Sequence, residues 1–447
     1  MNIGSKRRGI APMPGTTPEA REKIPRQNPW VAIVLLMLFN ALMAMDRNLP
    51  MLMAEPIKIE FGLSDGQIGI LIGLAFAVPL GVAGLLLGPL IDRVNRKKYL
   101  MGLVTIWSSL TLLTGMAWNY ILLLGARAAL GAAEASGQPA ALSVIGDTFP
   151  PARRATAVSL FKIGSSLGVL FASGVVGYVA ATYGWRYAFF AAAIPGYMVV
   201  LAMAILMSEP QRGAMDASAS GREPVPYSAA LVFVTRNPVV APFVLGMTLF
   251  VFAGSAFSGF AAPFLQRNHD VGLGRIGLLY GIGSAMSMIS PLLLGLAADR
   301  IMARGVRPLV LFVAILSAII TMSALAVVLV EVTLVAVTAF VFWQIVMHAM
   351  TTPCYAMLIS VTPSGMRGTV LSLVTVATMC LGYGLGPIAS GFASDHIGGP
   401  HSLRYALLVV VGIGGAASAW MFWLSSTRLP KDPADSEADQ MPSAPSP

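Results

Sequence analysis

Charge is what this chain has least of. Only 11% of its 447 residues are Asp, Glu, Lys or Arg, whereas a soluble chain carries about a quarter. So few charges cannot coat a globule of this size, which leaves lipid as the solvent. Cysteine is scarce too. Cys354 and Cys380 are the only two, both inside apolar runs, so neither a disulfide framework nor a Cys-based metal site is expected. Of four histidines, His269, His396 and His401 fall in expected loops, too scattered for a metal centre. No Ser-His-Asp arrangement and no Gly-rich phosphate loop occurs, which argues against an enzyme and against ATP as the energy source. Neither a metal nor a cofactor is expected.

Apolar runs are abundant. Hydrophobic residues make up 56% of the chain, and runs such as Trp30–Met45, Ile68–Leu87 and Leu309–Val330 are each about long enough to cross a ~30 Å hydrocarbon core as helix. The pattern predicts an all-α membrane protein with twelve transmembrane helices. The first six lie at about 30–54, 67–90, 99–117, 119–146, 156–180 and 185–207, and the second six at about 238–265, 275–298, 307–330, 332–360, 368–394 and 403–426. A polar stretch with Gly213, Ser218, Ser220 and Gly221 separates the two sets. The expected organisation is a tail at 1–28, a six-helix half at 29–207, a linker at 208–236, a second half at 237–428 and a tail at 429–447. Both tails are too polar and Pro-rich to fold.

The net charge of +9 is not a nucleic-acid signature, because the basic residues sit in short clusters between apolar runs, where they orient a membrane protein. Loops on the side of the two tails hold 21 Lys and Arg against 5 on the other side (Lys58, Arg186, Arg267, Arg275 and Arg404). Both termini are therefore expected in the cytoplasm, with the chain in a bacterial-type inner membrane.

The halves repeat one another. Leu-Leu-Leu-Gly88-x-x-x-Asp92-Arg93 recurs as Leu-Leu-Leu-Gly295-x-x-x-Asp299-Arg300, Arg154-x-Thr156-x-x-Ser159-Leu160 recurs as Arg367-x-Thr369-x-x-Ser372-Leu373, and Arg186-Tyr187-Ala188 recurs as Arg404-Tyr405-Ala406. Three matches in the same order argue for a duplicated six-helix unit, and parallel repeats of this kind place a substrate site at the midplane between the halves.

Gly88-Pro-Leu-Ile-Asp92-Arg93-Val-Asn-Arg96-Lys97 resembles the signature loop between helices two and three of the major facilitator superfamily, with Asn95 where glycine is usual. Gly88 allows close helix approach, Asp92 suits a neighbouring helix N-terminus, and the basic residues hold the loop in the cytoplasm. The resemblance implies a latch on the cytoplasmic side formed by Gly88, Asp92, Arg93 and Arg96, repeated at Asp299 and Arg300. A narrower resemblance runs through the first half: Asp46-Arg47-Asn48, Ala54-Glu55-Pro56-Ile57-Lys58, Phe61-Gly62-Leu63-Ser64-Asp65, Gly131-Ala-Ala-Glu134-Ala135, Asp147-Thr-Phe149-Pro150-Pro151-Ala-Arg153-Arg154-Ala155-Thr156 and Gly184-Trp185-Arg186. These blocks are similar to the bacterial branch of the spinster-like transporters. Animal members move lysophospholipids and sphingoid phosphates, while the second half here shows only general superfamily features.

Charges inside the apolar runs carry the functional expectation. Asp46 and Arg47 lie in the first span. Arg127 and Glu134, seven residues apart in the fourth, share one helix face with Gly131 and Gln138. An ionisable residue at this depth costs about 2.5–3.5 kcal/mol on insertion scales, so it is functional by default. One reading is a static buried network. The other is proton exchange during transport, since desolvation favours the neutral form of a carboxyl group, a neighbouring Arg favours the charged form, and alternating access can change which prevails. The spinster resemblance implies the coupling role for Glu134, Asp46 and Arg127, with Arg47 beside them. Lys162 sits near enough to the end of the fifth span to reach out along its own stem. In the tenth span Gln344, His348, Thr351 and Tyr355 form a polar stripe, and Tyr280 heads another in the eighth with Ser284 and Ser287; His348, Gln344, Thr351, Tyr355, Tyr280 and Gln138 are the expected lining of the substrate cavity. His348 either binds or titrates there, or is simply hydrogen-bonded.

The leading expectation is a proton-coupled carrier of an amphiphilic or organic anion, lysolipid-like, acting as a monomer in the bilayer. The alternative is a proton-coupled carrier of small hydrophilic acids or sugars. A sensor without transport is a different class, for which neither tail has the apolar content to form a signalling domain.

Overall fold

The computed structural model describes residues 28–91, 93–210, 226–363 and 365–429. Both tail segments, the middle of the linker and Asp92 of the expected latch lie outside them. The described residues form helices that we number as spans. Span 1 is Pro29–Leu52, span 2 joins Asp65–Ile72 to Leu74–Ile91, and span 3 is Arg96–Gly115. Span 4 joins Tyr120–Glu134 to Gly137–Thr148, span 5 runs from Pro151–Phe171 through a π-helical turn at Ala172–Val176 to Gly177–Tyr183, and span 6 is Trp185–Leu206. In the second half, span 7 is Val240–His269, span 8 joins Leu273–Ser287 to Ser290–Met302, and span 9 is Val306–Leu329. Span 10 joins Thr333–Ala349 to Thr351–Val361, span 11 runs from Arg367–Ala377 through a π-helical turn at Thr378–Tyr383 to Gly384–Ile397, and span 12 is Ser402–Thr427. Among the described residues the fold is therefore two six-helix halves of twelve spans, besides the shorter helices Ala54–Phe61 and Tyr227–Arg236, with ten segments long and apolar enough to cross a membrane by length and composition alone. The ten do not include span 3, which starts on Arg96-Lys97-Lys98, or span 4, which is broken in the middle.

The breaks in spans 4, 8 and 10 have a common cause. Proline has no N–H and its ring collides with the carbonyl four residues earlier. Pro139, Pro291 and Pro353 would strike the carbonyls of Ala135, Ser287 and Ala349, and spans 4, 8 and 10 each break there. Pro139 and Pro353 occupy the same place in spans 4 and 10, so the duplication extends to the kink.

Within the first half, spans 1 and 5 pack through small residues: a Cβ on Gly168 would lie 1.9 Å from the carbonyl oxygen of Ala41. Between halves, spans 2 and 11 and spans 5 and 8 converge towards one end of the bundle. A Cβ on Gly69 would lie 2.5 Å from the Pro387 carbonyl oxygen, and one on Gly277 2.3 Å from that of Ser173. Backbones this close are reached only through glycine. The halves are thus drawn together at the end carrying Asp65 and Asp395.

Candidate functional site

The break in span 4 makes Glu134 the last residue of its first segment, just ahead of the kink. Gly131, one turn earlier, lets that segment press on span 2, since a Cβ there would lie 2.3 Å from the Phe76 carbonyl oxygen. The Phe76 ring thereby enters the space between spans 1 and 4. The Arg127 guanidinium stacks on it at 4.4 Å, with that of Arg47 at 5.5 Å, geometry that contributes about 0.5–2 kcal/mol per cation.

The four charges of the cluster divide unequally. Arg47 donates from Nε to Glu134 Oε2 at 2.6 Å. Asp46 accepts from the Thr111 hydroxyl at 3.0 Å. Arg127 bonds to no carboxylate. It donates to the backbone carbonyl of Asp46 at 3.1 Å and to that of Arg47 at 3.3 Å. Pro50 explains this arrangement: it lies inside span 1 and has no N–H for the carbonyl of Asp46. Arg127 fills that place, so its hydrogen bonds go to backbone carbonyls and not to a carboxylate. Asp46, Arg127 and Glu134 are 4%, 3% and 1% exposed, while the side chain of Arg47 keeps 31% of its surface. Arg47 is therefore the solvent-accessible member of the ion pair. Two buried atoms, Arg127 Nε and Glu134 Oε1, make no hydrogen bond within the chain.

Lys162 is exposed on span 5. From the second half, Tyr383 meets the Phe76 ring edge-to-face, the centroids being 6.4 Å apart. Tyr383 carried no signal in the sequence beyond the Gly382, Gly384, Gly386 and Pro387 that surround it.

The expected polar stripes of the second half are divided. Gln344 is buried against Gly283, and Tyr280 is buried with its ring edge-on to Phe340 at 5.0 Å, so both hold spans 7, 8 and 10 together. His348 is exposed, its Nδ1 2.9 Å from the Gln344 carbonyl oxygen, and the Thr351 hydroxyl bonds back to the His348 carbonyl. Tyr355 and Gln138 are half-buried. His348 stands five residues before Pro353 as Glu134 stands five before Pro139, so the two occupy equivalent positions of the repeat, on opposite sides of the bundle.

The latch residues are equally divided. Gly88 lies within span 2, while Arg93, Asp299 and Arg300 are exposed. Arg96 is buried and turns into its own half, bonding to Asp147, to Ser143 at 3.0 Å, to Glu209 at 3.0 Å and to the Pro210 carbonyl at 2.9 Å. It ties the loop to the end of span 4 and to the chain leaving span 6.

A cross-half network that sequence reasoning missed lies at the opposite end. Asp395 of span 11 accepts from the backbone N–H groups of Asp65 and Gly66 at 2.9 and 2.8 Å, capping span 2 from the other half. The Asp65 carboxylate in turn accepts from Arg267 at 2.9 and 3.0 Å, from Lys58 at 2.5 Å and from Ser394 at 2.7 Å. Arg267 also bonds to Glu55 at 2.8 Å.

Beside the central cluster a cavity of about 1180 Å³ opens between spans 1, 5, 6 and 8. Its wall is apolar, including Met45, Leu167, Phe171 and Leu278, and Arg275 stands at its rim.

The Major Facilitator Superfamily profile matches residues 36–387. An MFS-type efflux pump of Mycolicibacterium smegmatis is 27% identical over 90% of this chain and 94% of its own length. Protein spinster homolog 1 of Rattus norvegicus is 30% identical, but over 54% of this chain and 46% of its own, so the chain spans about half the length of that relative. A crystal structure of a bacterial homolog of the human lysosomal transporter spinster, inward-facing and unoccupied, superposes with a TM-score of 0.76 at 22% identity, covering 90% of this chain and 98% of that one.

Proposed function

The chain belongs to the Major Facilitator Superfamily, a family of transporters rather than enzymes, and from that premise we propose that it is a proton-coupled secondary transporter of an amphiphilic organic anion. The observation that carries this reading is the Arg47–Glu134 ion pair, held at 2.6 Å in the middle of the bundle with Glu134 fully buried and Arg47 about a third exposed. A proton on Glu134 cancels the attraction that holds Arg47. The freed guanidinium, with Arg127 on the same Phe76 ring, then favours an anionic group. Loss of the proton restores the pair and expels the anion. Asp46, anchored by Thr111, is the second acid that can share the proton.

The adjoining apolar cavity, with Met45 next to Asp46 in its wall, supports a substrate with a hydrocarbon part, as in lysolipids. A hydrophilic acid is the second reading, favoured by the probable L-galactonate transporter of Escherichia coli, 24% identical over 88% of both chains. The halves at 29–207 and 237–428 rock about the site, with 208–236 as the linker between them. The Lys and Arg distribution supports cytoplasmic termini in an inner membrane. The closed Asp65 end then faces away from the cytoplasm, the attitude of the inward-facing structure to which the fold is similar. On the cytoplasmic side the exposed Arg93, Asp299 and Arg300 belong to the gate, while Arg96 braces its loop within the first half.

The test is transport by purified protein in liposomes under an imposed pH gradient. A radiolabelled lysophospholipid should become protected from albumin extraction faster with the gradient than without it. Uptake of galactonate in its place selects the second reading, and movement of either solute unaffected by the gradient overturns proton coupling.

A further inference from the structure

Three basic side chains stand in the spans of the first half, and two are committed. Arg47 is paired with Glu134, and Arg127 is bonded to the backbone carbonyls of Asp46 and Arg47. Lys162, exposed, makes no hydrogen bond or ion pair among the described residues. Its direction follows from its neighbours on span 5. Gly164 and Gly168 press on span 1, where added Cβ atoms would lie 2.1 and 1.9 Å from the carbonyl oxygens of Met37 and Ala41. The Ser166 carbonyl accepts from the Ser284 hydroxyl of span 8 at 2.8 Å, and the Ser173 carbonyl meets Gly277. Leu167, Phe171 and Gly174 face the apolar cavity, on the side of span 6. One face is left, and at about 100° per residue it carries Lys162, Ser165, Val169 and Ala172. It looks between spans 1 and 8, into the space between the halves. Along it the side chains pass from exposed at Lys162, through half-buried at Ser165, to buried at Val169 and Ala172.

Span 10 repeats the pattern from the other half. Gln344 is packed on Gly283 of span 8, and Met347 on Gly254 of span 7. The stripe on that side runs Phe340, Gln344, His348, Thr351, and it passes from buried to exposed between Gln344 and His348. The two transitions are level. Ser166 with Ser284 and Ser173 with Gly277 set an antiparallel register that places Lys162 opposite Met288 of span 8. Gly283 with Gln344 and Gly295 with Thr352 set the parallel register of spans 8 and 10, which brings Met288 beside Met347 and His348. Lys162 and His348 thus flank span 8 at one height, each the first exposed side chain beyond the sealed part of its stripe. The His348 ring is oriented as well. Its Nδ1 lies 2.9 Å from the Gln344 carbonyl oxygen, which can only accept, so Nδ1 carries the hydrogen and Nε2 is a bare acceptor in the neutral ring.

We propose that Lys162 and His348 are a substrate-recognition pair contributed by the two halves, Lys162 holding the anionic group and His348 Nε2 accepting a hydrogen bond from a hydroxyl of the same molecule. The substrate class is then a hydroxylated organic anion, a description that a lysophospholipid and a sugar acid both meet. The inference rests on the reading of the chain as a carrier of organic anions and adds the residues that select them. It also orders the events. While Glu134 is ionised Arg47 is occupied, so Lys162 is the cation open to an arriving anion. Arg47 becomes available only after Glu134 takes its proton. Because the two contacts come from different halves, a molecule held by both favours the arrangement that brings the halves together around it.

The experiment is calorimetric binding to the full-length protein in lipid nanodiscs at about pH 8, where a free imidazole is neutral, with empty nanodiscs as the blank. The probes are octanoyl glycerol phosphate and gluconate, each beside an analogue without hydroxyls, octyl phosphate and hexanoate. Lys162→Gln should weaken every probe that the parent binds about tenfold, and Lys162→Arg should restore the affinity. His348→Phe should weaken the hydroxylated probe about fivefold and leave its analogue unchanged. Melting temperatures should stay near that of the parent, since both side chains are exposed. Binding of octanoyl glycerol phosphate without gluconate selects the lysolipid source, and the reverse selects the sugar acid. Lys162→Gln affinities within about twofold of the parent overturn the pair and return the anion to Arg47, with the carrier reading intact. A His348→Phe protein that treats both members of a probe pair alike overturns the hydroxyl contact. A parent that binds none of the anions overturns the carrier reading, and the pair falls with it.

Discussion

The central cluster and the clamp at the Asp65 end use the same residue types to opposite effect. At the clamp, Asp65 takes bonds from Arg267, Lys58 and Ser394, and Asp395 spends both oxygens on the backbone of span 2. In the cluster there is one ion pair, one arginine committed to backbone carbonyls, and a carboxylate oxygen and a guanidinium nitrogen with no bond at all. A saturated network is fixed, because every change costs a bond. A cluster with free positions can exchange a proton or a ligand and still satisfy most of its groups. Saturation thus separates the part that holds the halves together from the part that can change state.

Removing the centre of the clamp should have the largest effect. Asp65→Ala leaves Arg267 and Lys58 without their shared acid, and breaking a buried pair costs about 3–5 kcal/mol. A marked fall in melting temperature is expected, together with wider distances between spin labels placed on the ends of spans 2 and 11. Unchanged label distances would show that glycine packing alone closes this end. Asp395→Asn is milder. One oxygen still accepts while the other becomes a donor facing an N–H, so a loss of about 1–2 kcal/mol is expected, read in the same two measurements.

In the cluster the comparison predicts effects on transport that outrun those on stability. Phe76→Leu removes the face on which two guanidiniums rest, worth about 1–2 kcal/mol, yet gradient-driven transport should fall several-fold, since Arg47 and Arg127 lose their relative placement. Transport falling only in step with folded protein would make Phe76 a packing residue. The smallest effect should come from Arg186→Ala. Its pair with Glu60 at 2.6 Å is about a third exposed, and such pairs contribute up to about 1 kcal/mol. Melting temperature and transport should both stay near the parent values.

Much of the fold was legible because it depends on local pattern. Apolar length marked the spans. The kink in span 4 was written in Pro139, but the run around it is apolar on both sides and reads as one helix. The seven-residue spacing placed Arg127 and Glu134 on one face, as in the structure, but it could not say what each would bind. That depended on Pro50, four residues after Asp46 on another helix, whose missing N–H gives Arg127 its acceptor. The clamp was less legible still, because Asp65 and Asp395 are 330 residues apart and each alone reads as a loop-end charge. His348 and Gln344 show the converse: polar spacing identified a face, and packing then divided it.

Glu134→Gln tests the central claim most directly, with gradient-driven uptake, substrate exchange and melting temperature measured on one reconstituted sample. Gln keeps the size and a hydrogen-bonding oxygen for Arg47 but carries no proton to the other side. The account predicts folded protein that exchanges substrate across the liposome and no longer accumulates it when a pH gradient is applied. A folded Glu134→Gln protein that still accumulates substrate under the gradient would contradict it and transfer the proton to Asp46.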